Sequence, residues 1–121
     1  MTTTIVLEHP SFDQTGLLTL HLDRQITVKI SANEAQKRVS RYVHWELSSQ
    51  MHAEAPVLLV AAEAFWRVPV HLTFPAFGDV GCIGFIKVDP LTGQLDTSPA
   101  TIHQLTAKAE EFAGRFSSPT T

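Results

Sequence analysis

A long run of alternating residues, joined by a turn to a returning strand, limits what this chain can fold into more than any other feature. Phe65 to Phe74 carries Trp66, Val68, Val70, Leu72 and Phe74 at every second position. Phe65, Arg67, Pro69, His71 and Thr73 lie between them. Val80 to Asp89 reads as a returning strand, and Pro75-Ala76-Phe77-Gly78-Asp79 separates the two runs. A period of two belongs to strands with one buried face, and a run broken by Pro and Gly reads as a turn. The segment from Phe65 to Leu95 is therefore expected to be a β-hairpin with a turn-bounded extension through Asp89-Pro90-Leu91-Thr92-Gly93. Pro69 has no N–H for a ladder bond and points to an edge or a bulge at that position. Pairing Phe74 with Val80 would put Cys82, Ile86 and Val88 on the Trp66 face.

Two helical patterns flank the hairpin. Ser31-Ala32-Asn33-Glu34 has the form of a capping box. Ala35, Val39, Tyr42, Val43, Leu47 and Met51 follow it at spacings of three and four, which predicts a helix over 31–52. Ser98-Pro99 places a cap before a proline at the first helical position. Ile102, Leu105, Ala109, Phe112 and Phe116 then form a narrow stripe, which predicts a helix over 98–116. Before the first helix, 4–30 reads as strands. Thr4 to His9 is short, and Gly16 to Leu22 and Gln25 to Ile30 both alternate. Strands are also expected within 57–95. The whole of 1–121 thus reads as a single α+β domain, with an antiparallel sheet of about five or six strands packed in two layers against two helices. At 121 residues, with an apolar fraction of 44%, the chain is long enough to bury a core unaided.

Charge and cysteine usage narrow the function classes. The formal net charge is −3, and among nine basic residues only Lys37, Arg38 and Arg41 cluster, a poor footprint for nucleic acid. A single cysteine, Cys82, excludes an intramolecular disulfide and suits a reducing compartment. The first residues carry neither a basic stretch nor a long apolar stretch, and the longest apolar run, Pro56 to Ala62, is far too short to span a bilayer. The expected location is the cytoplasm, with no membrane partner.

No motif commits the chain to a chemistry. The six histidines, His9, His21, His44, His52, His71 and His103, include no pair four residues apart. His44 and His52 would stand about 12 Å apart on a continuous helix, too far to share an ion. The expectation is therefore no metal and no cofactor. Cys82 with His71 as base is the one nucleophile pairing to weigh. The preferred register puts them on opposite faces, whereas a slip of one residue would make them direct neighbours. With no third residue to orient the base, a buried thiol and a chain that is not an enzyme are expected. The large aromatics that fall off the core stripes point instead to a partner. Trp45, Phe65, Arg67, His71 and the turn-tip Phe77 are the candidate interface residues.

From Ser31 to Leu95 the layout resembles a PepSY-type domain. The resemblance rests on Ser31-Ala32-Asn33-Glu34-Ala35, on Trp66-Arg67-Val68-Pro69-Val70 and on Val88-Asp89-Pro90-Leu91-Thr92-Gly93-Gln94-Leu95. It implies an α+β module that binds other proteins or restrains peptidases, with no catalytic residues of its own. Three functional expectations result. The first is a protein- or peptide-binding regulatory module that pairs with itself as a homodimer. The second is a small-molecule binder or small enzyme with a pocket near His71, Arg67 and Cys82. The third is a structural subunit of a larger assembly.

Overall fold

The computed structural model describes residues 4–7, 16–17 and 25–116. Its elements run β1 (Thr4–Leu7), α1 (Ala32–Tyr42), a π-helical turn (Val43–Leu47), β2 (Met51–Ala53), β3 (Val57–Val60), β4 (Ala64–Phe74), β5 (Gly78–Val88) and α2 (Pro99–Phe116). This is an α+β fold with one open, mixed sheet of five strands. The long β4 is its axis. On one side β4 pairs antiparallel with β3 through its first half and with β2 through its second; on the other side it pairs antiparallel with β5. The sheet is antiparallel except at its margin, where β1 lies parallel to β3.

The Trp66 face of β4 forms the core, as its alternation requires. Trp66, Val68, Val70 and Leu72 are buried, and so are Ile86 and Val88 opposite them on β5. Ala35 and Val39 of α1 and Val43 of the π turn join this cluster, as do Leu105 and Phe112 of α2. Burial at this scale is worth about 1.5–3 kcal/mol for each large apolar side chain. Gly84, at φ +155°, lets α2 approach β5: a Cβ there would lie 2.7 Å from Leu105 Cδ2.

Local chemistry sets the helix ends. The Ser31 side chain accepts a hydrogen bond from Glu34 N at 3.1 Å. The returning half of a capping box is not made, because the Glu34 carboxylate instead accepts from Arg38 Nε at 3.0 Å. Arg38 also reaches across to the Gly93 carbonyl at 3.3 Å, tying α1 to the turn that follows β5. That turn is closed by Asp89, whose carboxylate accepts from the amides of Leu91 and Thr92. At the start of α2, Asp96 accepts from Ser98 N at 3.1 Å and from Thr101 Oγ1 at 3.0 Å. The Ser98 backbone and side-chain hydrogen bonds, helped by Thr101 and the Lys87 charge, hold the Asp96 carboxyl below its ordinary value against the opposing effect of burial.

Three expectations from the sequence are corrected here. The first helix does not reach residue 52. Its last turn widens, Ser48 N bonds Val43 O at 2.8 Å, and Ser48 becomes extended. Met51, His52 and Ala53 then follow a buried, half-buried, buried pattern as strand β2. Met51 fits both periods, helical with Leu47 and alternating with Ala53, and ladder bonds to β4 decide between them. Gln25 to Ile30 is not a strand either. Lys29 N and Ile30 N both bond the Pro90 carbonyl, at 2.8 and 2.9 Å, and Trp66 Nε1 donates to Ile30 O at 2.7 Å, so the segment is a docked strap. The reading of 18–22 as a strand lies outside the described residues. Finally, Phe74 pairs with Gly78 rather than Val80, and Cys82 lies directly opposite His71 instead of on the Trp66 face. Two bulges cause this, leaving Val80 and Ile83 as the extra residues on β5. Ile83 takes the buried place that the simple alternation gave to Cys82.

Candidate functional site

The face of β4 that points away from α1 carries Phe65, Arg67, Pro69, His71 and Thr73, all half-buried. Strand pairing adds neighbours from both sides. His52 on β2 lies opposite His71, and Cys82 on β5 lies opposite it on the other side. One row further along, Asp79 lies opposite Thr73. Asp79 and Cys82 are three residues apart and would face opposite ways in a regular strand. The bulge at Val80 puts both beside His71. Glu54 lies just past β2, where its amide bonds the Pro69 carbonyl at 2.9 Å.

Four of these side chains converge. His52 Nε2 meets Glu54 Oε1 at 2.9 Å, and His71 Nδ1 meets Asp79 Oδ2 at 2.9 Å. His52 Nε2 is 3.9 Å from Asp79 Oδ2, and the two imidazole rings are 5.8 Å apart between centroids. One ligand atom from each of His52, Glu54, His71 and Asp79 lies within 4.8 Å of every other. Tetrahedral zinc, with ligands at about 2.0–2.2 Å, places its donor atoms about 3.3 Å apart. The separations here bracket that value.

The partners behind these ligands suit the same purpose. Thr73 Oγ1 is 3.2 Å from His52 Nδ1, which leaves Nε2 facing the cluster. Gly81 N donates to Asp79 Oδ1 at 2.9 Å, fixing the carboxylate with Oδ2 turned toward the histidines. Such outer contacts set tautomer and ring orientation in metal sites. Slight burial would raise the Asp79 carboxyl. The His71 hydrogen bond, the Gly81 amide and the charges of His71 and His52 outweigh it and hold the group below its ordinary value. The cluster opens to solvent, with side-chain exposures of 24% for His71 and 43% for Asp79.

The same face has a second, cationic half. Arg67 lies directly opposite Lys87. The Arg67 guanidinium carbon is 4.9 Å from the centre of the Phe85 ring, and Lys87 Nζ is 4.6 Å from that of Phe65. Comparison with protein-family models, with curated proteins and with solved structures found no match for this chain.

Of the residues singled out from the sequence, Phe65, Arg67 and His71 share this face. Phe77 lies at the turn joining β4 to β5 and is exposed, while Trp45 lies apart on the π turn and is 77% exposed. The Cys82 thiol donates to the Gly84 carbonyl at 3.3 Å, and His71 is engaged by Asp79, so the cysteine–histidine pair adjoins without forming a nucleophile–base contact. His52, Glu54 and Asp79 were not among the sequence candidates. The legible signal was His52-x-Glu54, an i, i+2 pair that shares a side only if the segment is extended, and the helical reading of 31–52 concealed it. No helix among the described residues is long and apolar enough to cross a membrane.

Proposed function

We propose that this protein binds a divalent transition-metal ion of the zinc type on the open face of its sheet, through His52, Glu54, His71 and Asp79. The observation that carries this reading is the convergence of two imidazole nitrogens and two carboxylates within 4.8 Å, drawn from β2, β4, β5 and the residue after β2. A mixed nitrogen and oxygen set suits Zn²⁺, Co²⁺ or Ni²⁺. Mg²⁺ and Ca²⁺ favour oxygen alone. In the metal-free protein each histidine is held by a carboxylate; binding replaces those contacts with bonds to the ion. Thermal unfolding in zinc is the direct test. A ligand at a hundred times its Kd adds about 2.7 kcal/mol to stability. For a chain of this size that is a rise in Tm of roughly 10 °C. Magnesium at the same concentration is expected to leave Tm unchanged, and equal responses to the two ions would sink the proposal.

A second reading, favoured by the 77% exposure of Trp45, is a partner-binding module that self-associates. Trp45 shares a surface hollow with Arg38, Arg41 and Tyr42, a combination of aromatic and arginine side chains typical of interface centres. Light scattering across a concentration series would test it. A dimer that Trp45→Ala dissociates is expected; a monomer at every concentration would remove the self-association part.

A further inference from the structure

We propose that the cationic half of the sheet face, built on Arg67 and Lys87, is a binding site for a small oxyanion (a carboxylate or phosphate group) carried on an apolar body. The motivating anomaly is a like-charge pair. Arg67 and Lys87 are direct cross-strand partners, an arrangement that repulsion makes unfavourable. Among the described residues neither makes an ion pair, whereas Arg38, Lys108 and Arg115 each have a carboxylate partner. Arg67 Nε is also enclosed without a hydrogen-bond acceptor. Enclosing that N–H without an acceptor is unfavourable, and the rest of the half-buried guanidinium carries its charge with no acid paired to it among the described residues.

The acids nearby do not resolve the anomaly. Asp96 lines the same groove and feels the Lys87 charge, but its oxygens are committed to Ser98 and Thr101 at the start of α2. Glu63, also on the rim, is exposed and makes no salt bridge among the described residues. Stacking on Phe85 and Phe65 orients the two cations without neutralising them. An oxyanion between the two would do so, and the planar guanidinium fork suits such a group. Phe65 and Phe85 would flank an apolar body, and Gln104 of α2 lies at the far wall. Arg67 stands four strand residues from His71, about 13 Å along β4, so this site is separate from the proposed metal cluster and does not depend on it.

The test is an amide NMR titration of the metal-free protein, in EDTA, with inorganic phosphate, phenyl phosphate, acetate and phenylacetate. Ionic strength is held constant with sodium chloride. Saturable shifts are expected at Phe65, Arg67, Phe85 and Lys87, stronger for the phenyl compounds than for the bare anions. Whether phosphate or carboxylate binds more tightly decides between the two groups. Lys87→Gln is expected to weaken binding at least tenfold. Lys87→Glu is expected to abolish it and, by removing the repulsion, to raise Tm without added anion. Because Lys87 is exposed, both variants should fold, so the test does not depend on altering the half-buried Arg67. Absence of saturable shifts with all four anions, or binding unchanged in Lys87→Gln, would overturn the proposal.

Discussion

A His71→Ala protein is expected to bind zinc at least a hundredfold more weakly than the wild type and to lose the zinc-dependent rise in Tm. A hundredfold is about 2.7 kcal/mol. His71 has the largest effect because it is central to the cluster. It pairs with His52 across β2 and β4, holds the Asp79 carboxylate at 2.9 Å, and is the least exposed of the four ligands. Its loss removes one donor and leaves Asp79 oriented by the Gly81 amide. Two comparisons separate this from nonspecific binding to histidine. Thr73→Val keeps all four ligands but removes the hydroxyl 3.2 Å from His52 Nδ1, so an intermediate loss of about ten- to hundredfold is expected. His44→Ala removes an imidazole that stacks edge-on against Trp45, outside the cluster, and should leave zinc affinity unchanged. Calorimetric titration of the four proteins gives the ordering. If His71→Ala binds like the wild type, the cluster is not the site.

The cluster shows which parts of this molecule could be read from the chain. The Trp66 face of the hairpin was legible because burial of one side imposes an unbroken alternation on β4. The start of α1 was legible because the Ser31 side chain caps it, and the start of α2 because of Ser98-Pro99. The site was hidden for two physical reasons. One is that the sequence Val43 to Met51 satisfies a helical period, while the chain leaves the helix through a π turn at Val43–Leu47 and enters β2. That choice is made by ladder bonds to β4, which lies well downstream. The other is the pair of bulges on β5. Each shifts the register by one residue, so Asp79 and Cys82 both come to lie beside His71. Gly81 and Gly84, at φ +130° and +155°, flank the bulges, but a glycine in the sequence does not say which residue a bulge turns outward. Histidine spacing along the chain carries no sign of the pair, because His52 and His71 are brought together by pairing between two strands.

Trp66→Ala is expected to be the most destabilising of the substitutions considered, by about 3–5 kcal/mol from cavity formation alone. Trp66 is 3% exposed and lies between Leu58 on β3 and Val88 on β5, so the lost ring would leave a gap across three strands. Its Nε1 also donates to the Ile30 carbonyl at 2.7 Å, and that bond holds the strap 25–30 against the sheet just before the Ser31 cap of α1. Alanine would leave the Ile30 carbonyl without this donor, with a further penalty of about 1–3 kcal/mol if no water replaces it. Against a typical total of 5–15 kcal/mol, the variant would be marginally folded. Trp66→Phe separates the two contributions. It keeps most of the buried ring and loses the donor, so about 1–2 kcal/mol is expected, close to the value of one hydrogen bond. Urea unfolding followed by circular dichroism measures both. A Trp66→Ala midpoint equivalent to less than about 1 kcal/mol of destabilisation would mean that Trp66 is not the keystone of this core. Equal losses in the two variants would instead place most of its contribution in the strap, because the bond to Ile30 is the feature that both substitutions remove.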